Sequence, residues 1–321
     1  MRIGTNPEKQ KAKQLNYKKH RVIIPVYIPD DAHDYFKNLA EVFYASIQSL
    51  LQTIDPKNTA ITIINNNSKK EVGAFIEALL LQKRIDKYIV YSENKGKVYS
   101  VLQEARSSYE DFITIADADV FFFTNWQNEV HQVFDTFKKI GVVGLTPDPH
   151  MAFYCNNSLF FGSFFSVNKG KVVNDFDLEL FEEGINKKDF FISKNNNWKQ
   201  KQYYLNKKGV KVVIGASHFA STYRKQVFTE MKLEKPIFVF PGGELKFIDT
   251  PIDKLGYYRV SLIKAFAYHM GNNVKQELLQ SSLENKKLVC SNTSLTALKP
   301  LVLPYIIKIF FTRIFRKLLQ A

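Results

Sequence analysis

Two carboxylates one residue apart, Asp117 and Asp119, follow an apolar segment in the sequence ITIADADV. Where such a strand ends, both side chains can turn toward one hard cation, and Mg²⁺ and Mn²⁺ prefer oxygen ligands. A carboxylate pair beside an apolar strand would also be costly to bury without a cation. The pair therefore predicts a divalent-metal site, although Asp-x-Asp is a common sequence that also suits a turn or a helix cap.

The elements that must position these acids are visible in the first 122 residues. Apolar runs predict strands within 21–29, 60–68, 87–96 and 111–122. Helical patterns lie between them, so we expect a parallel sheet that binds its ligand at the carboxyl ends of the strands. Residues 117–119 lie at such an end. The other three ends are also polar or turn-forming, at 25–27, 65–68 and 93–97.

A family resemblance covers about residues 20–275. In chain order, the segments RVIIPVY, TIINNNS, SENKGK, TIADADV, GASHFAS and AYHMGN resemble those of family 2 glycosyltransferases. The resemblance implies an α/β GT-A fold, with a Rossmann-like, mostly parallel sheet flanked by helices and, here, a C-terminal amphipathic helical tail. It also implies inverting transfer of a sugar from a nucleotide donor to a hydroxyl acceptor, with Mn²⁺ or Mg²⁺ as cofactor.

Four parts are expected along the chain. A basic lead (1–20) precedes the nucleotide-sugar-binding half (21–145) and the acceptor-binding half (146–275) of one GT-A domain, and a basic amphipathic tail (276–321) follows. Within the acceptor-binding half, residues 209–228 predict a strand, a turn of small residues and a helix.

The resemblance implies where the nucleoside would bind. Pro25, Val26 and Tyr27 would line the base and the ribose. Asn65 stands where the family often has an aspartate that hydrogen-bonds the uracil ring, which leaves the choice of base open. A plain polar turn is the alternative interpretation of 65–68, because asparagine tolerates left-handed backbone.

The resemblance also implies how the diphosphate and the metal would be held. Asn94 and Lys97 would edge the nucleotide pocket, with Lys97 near the diphosphate. Asp117 would approach the ribose or the sugar, and Asp119 the metal. His269 would be a second metal or diphosphate contact, although an isolated histidine is more often a hydrogen-bonded core residue.

An inverting transfer needs a general base that faces the acceptor hydroxyl. Family members often place a Glu-Asp pair about a dozen residues before a Gly-Tyr-Arg-like strand, whose counterpart here is 256–259. Counting back gives Glu244, but leucine follows it, so the pair is broken. The candidates are therefore Glu244, then Asp249, then Asp253. His218, in the small-residue turn, is a candidate acceptor contact or a side chain that simply fills space.

The composition and the charge distribution exclude several classes of protein. The 321-residue chain is 45% apolar, which excludes a disordered chain, and its two cysteines are too few for a disulfide framework. Residues 1–21 carry +6 and 285–321 carry +7 of a net +14, so the body is nearly neutral and no nucleic-acid partner is expected. No apolar run follows the basic start, so we expect a cytoplasmic protein without a signal peptide.

Residues 301–319 predict a basic amphipathic helix. One arc is apolar and contains Leu303, Ile306, Ile307, Phe310, Phe311, Ile314 and Leu318. The opposite side holds Lys308, Arg313 and Arg316. Such a helix is typical of peripheral contact with the inner face of a membrane, and its charges argue against a spanning helix. Docking on the protein's own core or on a partner subunit is the alternative.

The sequence thus predicts a metal-dependent inverting glycosyltransferase that uses a nucleotide-sugar donor and a glycan or lipid-linked acceptor. We expect the donor to be a UDP-sugar. One alternative is a sugar-phosphate nucleotidyltransferase, but that class carries a glycine-rich basic loop after the first strand, and VIIPVYIPDDAHD has no glycine. The other is a non-catalytic, membrane-associated binding module, which the broken Glu-Asp pair would favour.

Overall fold

A computed structural model describes residues 3–10, 14–30, 33–193, 196–232, 234–237, 243–275 and 303–320. Fourteen strands occur in these ranges: β1 His20–Val26, β2 Thr59–Asn65, β3 Lys87–Val90, β4 Phe112–Ala116, β5 Val120–Phe122, β6 Ile140–Gly144, β7 Asn168–Gly170, β8 Ile192–Ser193, β9 Asn196–Asn197, β10 Gln202–Lys207, β11 Val210–Ile214, β12 Ala220–Arg224, β13 Tyr258–Ser261 and β14 Ala267–His269.

Helices flank the sheet. They are α1 Leu39–Thr53, α2 Lys70–Leu81, α3 Lys97–Ser107, α4 Trp126–Thr136, α5 Asn157–Ser163, α6 Asp175–Gly184, α7 Lys225–Glu230, α8 Thr250–Leu255 and α9 Tyr305–Gln320. A π-helical turn, Leu245–Asp249, leads directly into α8. Short 3-10 turns lie at Pro7–Gln10, Asp34–Phe36, Pro149–Met151 and Phe164–Ser166. Within the described residues, no helix has both the length and the hydropathy needed to cross a bilayer.

The central sheet has ten strands in the order β3-β2-β1-β4-β12-β6-β13-β11-β10-β7. Seven of them run in one direction, and β12, β11 and β7 run in the other. The apolar runs of β1, β2 and β4 are buried along their length, which explains why they show no alternation. The predicted α/β fold, with a mostly parallel sheet between helices and a C-terminal helix, is confirmed.

The acids interrupt the strand that the sequence predicts over 111–122. β4 ends at Ala116 in the middle of the main sheet, and β5 begins at Val120 in a separate two-stranded sheet with β14. This second sheet is antiparallel and sets His269 opposite Val120. A distant segment is thereby brought back to the turn that carries the acids.

The strand β12 was not predicted from the sequence, which indicates a helix directly after the small-residue turn. β12 lies antiparallel between β4 and β6 and is buried throughout. Its polar side chains form hydrogen bonds inside the protein: Thr222 Oγ1 lies 2.7 Å from Thr114 Oγ1, and Arg224 donates to the carbonyl of Ile140. A buried strand with a serine, a threonine and an arginine lacks the apolar run that identifies β1 and β4 in the sequence.

Two histidines are buried together at the start of β1. His20 Nδ1 lies 3.0 Å from His131 Nε2, and His20 Nε2 lies 2.6 Å from Thr114 Oγ1. Burial, together with the neighbouring His131, lowers the pKa of His20 well below its ordinary value. Burial likewise lowers the pKa of His131 to about 4. Both imidazoles are therefore neutral in the folded protein at neutral pH.

This pair predicts that acidification destabilises the protein. Below pH 6.5 the unfolded chain takes up protons at these histidines that the folded chain does not, so stability falls as the pH drops from 7 toward 4. For His131 alone the loss between pH 7 and pH 5 is about 2 kcal/mol. In denaturant unfolding, the free energy of unfolding of His131→Gln should therefore fall by about 2 kcal/mol less than that of the wild type between pH 7 and pH 5. His33→Gln, which removes an exposed histidine, is the control, and an equal loss in His131→Gln would contradict the prediction.

Candidate active site

Asp117, Asp119 and His269 converge at the end of β4. One ligand atom from each side chain lies within 4.8 Å of the others. His269 Nε2 is 3.3 Å from Asp119 Oδ2. The β5–β14 pairing positions them, because the amide of Met270, next to His269, donates to the carbonyl of Asp119 at 2.8 Å.

The chemistry of these three side chains fits a divalent cation. Asp119 Oδ1 is buried and has no hydrogen-bond partner among the described residues. Burial raises the pKa of Asp119 to about 6, against the opposing effect of His269. His269 Nδ1 lies 3.0 Å from the carbonyl of Gly184, which can only accept, so Nδ1 carries the proton. The lone pair of Nε2 then faces Asp119, an arrangement typical of a metal-ligating histidine.

Lys97 supplies the positive charge nearest to these acids. As the first residue of α3, it places Nζ 2.5 Å from Asp117 Oδ1 and 3.6 Å from Glu244 Oε1. It also donates to the carbonyl of His218 at 3.1 Å. Burial alone would lower the pKa of Lys97, but Asp117 and Glu244 raise it above its ordinary value, so the ammonium stays charged.

These groups line a cavity of about 580 Å³. Eight of the residues expected at the site lie on its wall: Pro25, Tyr27, Asn94, Lys97, Asp117, Asp119, Glu244 and His269. The loop that carries Asn94 is closed by the Gly96 amide, which donates to Asn94 Oδ1 at 2.9 Å. Gly96 has a φ of 79°, a conformation that glycine adopts without strain. Tyr27, Asn94 and Asp117 follow the ends of β1, β3 and β4, so the cavity lies at the carboxyl ends of these strands.

Val26 and Asn65 do not line this cavity. Val26 is 1% exposed and packs in the core. The carboxamide of Asn65 is used inside the protein: it accepts from the amide of Ser68 at 2.7 Å and donates to the hydroxyl of Tyr88 at 2.9 Å. Asn65 thus stabilises the polar turn, and the next residue, Asn66, reaches the cavity wall.

His218 and Asp249 also lie off the cavity wall, but they are paired with each other. His218 Nε2 is 2.5 Å from Asp249 Oδ2. Asp249 is fully buried, and Arg259 Nη2 lies 3.0 Å from its other oxygen. Burial alone would raise the pKa of Asp249, but Arg259 and His218 hold it below its ordinary value.

The third candidate base, Asp253, has a role in packing. It is fully buried and accepts hydrogen bonds from the amides of Asn157 and Ser158, at the start of α5, at 3.0 and 2.7 Å. A carboxylate at this position satisfies backbone donors that the helix leaves free.

Several residues on the cavity wall were not predicted from the sequence. Tyr35 and Phe36, in the turn after β1, and Asn66 are among them. The aromatic pair follows the acidic sequence PDDAHD, and no periodic pattern marks it. Asn66 could have been found, because it is the middle residue of the asparagine run that begins at the last residue of β2.

Residues 22–164 match the family model described as Glycosyl transferase family 2. No curated protein sequence matches the chain. A solved structure of TarS residues 1–349 from S. aureus is 12% identical, with 78% of this chain and 60% of that chain covered and a TM-score of 0.47. The mannosyltransferase PcManGT from Pyrobaculum calidifontis, in complex with GDP-Man and Mn²⁺, is 11% identical, with 77% and 55% covered and a TM-score of 0.43.

The chain thus spans somewhat more than half the length of these two solved structures. The family match begins within β1, continues past β6 and contains both acids of the turn after β4. Residues 22–164, which carry Asp117 and Asp119, are therefore similar to glycosyltransferase family 2.

Proposed function

We propose that the protein is a metal-dependent, inverting glycosyltransferase. It takes a sugar from a nucleotide-sugar donor, UDP-linked in our proposal, and transfers it to a hydroxyl of a glycan or lipid-linked acceptor. The observation that carries the proposal is the convergence of Asp117, Asp119 and His269 at the wall of the 580 Å³ cavity.

Asp119 and His269 would hold the cation, Mn²⁺ or Mg²⁺, with Asp117 beside them. When bound, the ion stabilises negative charge on the leaving diphosphate, an effect worth several kcal/mol. The unpartnered, buried Asp119 Oδ1 and the lone pair of His269 Nε2 support this assignment. The 3.3 Å between the two side chains is short enough for both to contact one ion.

Lys97 would bind the diphosphate. Its charged ammonium lies beside Asp117 at the cavity wall and is held there by the carbonyl of His218. Pro25, Tyr27 and Asn94, which line the same cavity, would contact the nucleoside. Because the carboxamide of Asn65 is occupied within its turn, an amide contact to the base would fall to Nδ2 of Asn66, whose Oδ1 accepts from Ser100.

The first test removes the proposed metal ligands one at a time. Binding of UDP-N-acetylglucosamine, UDP-glucose and GDP-mannose is measured by calorimetry with and without Mn²⁺. We expect Mn²⁺-dependent binding of at least one donor, weakened more than about tenfold in Asp119→Asn and in His269→Gln, because each change removes a direct ligand. Glu77→Gln, which removes an exposed acid on α2, is the control. Failure of the wild type to bind any of the donors would favour a non-catalytic binding module.

A second test moves His269 without replacing it. A Cβ added at Gly184 would lie 2.7 Å from the carbonyl oxygen of His269 and 3.2 Å from its Cβ, so Gly184→Ala must displace that residue. We expect Mn²⁺ affinity to fall about 10- to 100-fold, as for other changes behind a metal ligand. At Gly73 the nearest atom would be 3.5 Å away, so Gly73→Ala should leave the affinity unchanged. Equal Mn²⁺ affinity in the two variants would contradict the role of His269.

We also propose that α9 holds the enzyme on the cytoplasmic face of a membrane. The helix docks on the protein through its more polar side. Lys308, 1% exposed, donates to Ser158 Oγ at 3.0 Å, and Tyr305 donates to Asp253 Oδ2 at 2.8 Å. Phe315 stacks on Phe164 with ring centroids 3.7 Å apart.

The apolar side of α9 consequently faces away from the protein. Six large apolar side chains are between 38% and 72% exposed: Ile306, Ile307, Phe310, Phe311, Ile314 and Leu318. Phe165, close to the docking site in the neighbouring turn, is fully exposed. The helix contains no acid, and Arg313, Arg316 and Lys317 are exposed on it. An apolar strip bordered by cations matches the interface of an anionic bilayer.

Vesicle co-sedimentation tests this surface. We expect the protein to bind vesicles that contain an anionic phospholipid. The affinity should fall about tenfold or more when Phe310→Ser is combined with Leu318→Ser, because burying each apolar side chain contributes about 1.5–3 kcal/mol to binding. Leu81→Ser, which changes an 84% exposed leucine on α2, is the control. If α9 instead mediates self-association, the wild type should form dimers in solution and should not co-sediment with the vesicles. That result would contradict the membrane contact.

A further inference from the structure

The pairing of His218 with Asp249 leaves one imidazole nitrogen free. A charged carboxylate only accepts hydrogen bonds, so Nε2, at 2.5 Å from Asp249 Oδ2, carries the proton. Nδ1 then keeps its lone pair, and none of the described residues forms a hydrogen bond to it. About a quarter of the His218 side chain is exposed, so the imidazole is not sealed in the core.

The groups packed around His218 keep Asp249 charged. Arg259, fully buried, lies 3.0 Å from Asp249 Oδ1, and the ring of Tyr154 meets His218 edge-on. Asp148 is buried on the same side, where burial raises its pKa to about 7 against the opposing effects of His218 and Arg259. The charge that most directly orients the imidazole is thus that of Asp249, an arrangement found wherever a carboxylate supports a proton-accepting histidine.

His218 lies in a turn that also contacts the proposed donor site. Lys97 donates to the carbonyl of His218, and the amide of Asp117 donates to the carbonyl of Phe219 at 2.8 Å. Gly215 fixes the start of this turn: its φ is 122°, and an added Cβ would lie 2.4 Å from the carbonyl oxygen of Asp148. The imidazole is therefore held by the same backbone segment that positions Lys97 and Asp117.

The carboxylates considered as general bases are less well placed. Asp249 and Asp253 are fully buried, so neither carboxylate reaches an acceptor in the cavity. Glu244 lines the cavity, but it lies 3.6 Å from the Lys97 ammonium, among the groups proposed to bind the diphosphate. His218 is partly exposed, and its Nδ1 lone pair is not used by any described residue.

We infer that His218 is the general base of the transfer and that Asp249 is its positioning residue. The inference rests on the proposed function. The acceptor oxygen forms a bond to the anomeric carbon while the bond from that carbon to the diphosphate oxygen breaks. The leaving nucleoside diphosphate keeps the electron pair, and the acceptor proton passes to Nδ1 of His218. Asp249 stabilises the resulting imidazolium through Nε2.

The test uses the full chain with Mn²⁺ and with water as the acceptor. Release of nucleoside diphosphate from UDP-N-acetylglucosamine, UDP-glucose and GDP-mannose is recorded from pH 5 to 9, alongside the calorimetric affinity for each donor. We expect His218→Gln to lower the rate about 10²- to 10⁴-fold and to abolish the decline in rate on the acidic side of the profile. Donor affinity should be unchanged. His150→Gln, which removes an exposed histidine, is the control.

Two further variants separate the roles. Asp249→Asn should lower the rate of diphosphate release and shift the pH at which this rate declines on the acidic side (the acidic limb), without weakening donor binding. Glu244→Gln should keep the acidic limb of the wild type. Nitrogen-15 NMR of the wild type at pH 8 should show His218 protonated on Nε2 alone. Protonation on Nδ1 at that pH overturns the inference even if the Asp249 variant fails to fold.

The outcomes distinguish this inference from the proposed function. If the wild type binds and hydrolyses a donor with Mn²⁺ but His218→Gln does so at the full rate, only the role of His218 is overturned. A Glu244→Gln variant that loses the acidic limb assigns the base to Glu244 and likewise overturns it. If the wild type binds no donor, the proposed function fails and the role of His218 fails with it.

Discussion

The short antiparallel pairing of β5 with β14 is the constraint on which the candidate metal site depends. Both strands lie outside the main sheet, and each has only three residues. Their register sets His269 opposite Val120, and the bond from the Met270 amide to the Asp119 carbonyl extends the pairing to the acid itself. Because backbone hydrogen bonds fix both sides, Asp119 and His269 converge without depending on a flexible loop.

The charges at this site are unbalanced in the protein alone. Asp117 and Glu244 share one cation, Lys97, whereas Asp119 Oδ1 has no donor among the described residues. A buried carboxylate without a partner is costly, and the rise of the Asp119 pKa to about 6 has the same origin. A divalent ion would neutralise the acids, and a diphosphate would in turn neutralise the ion and Lys97. This balance is a reason to expect the ion and the nucleotide to bind together.

The sequence predicted the half of the fold whose strands are continuous apolar runs, and it placed Asp117 and Asp119 where such a run ends. His269 became a candidate only through the family resemblance, because no local pattern indicates a partner strand so far away. The use of Asn65 inside its own turn depends on Tyr88, on a neighbouring strand. The burial of Asp249 depends on Arg259, which reaches it from β13. Such properties come from tertiary contacts, which periodicity does not report.

The central position of β12 explains how Asp117 and His218, which come from different halves of the chain, can be held in one geometry. β12 runs antiparallel to β4 with Ala220 opposite Ala116. The residues after β4, including Asp117, therefore emerge at the same edge of the sheet as the residues before β12, including His218. A one-residue slip in this register would turn every side chain of β12 to the other face of a fully buried sheet, so it is strongly disfavoured. The distance between Asp117 and His218 is thus set by the packing of the core.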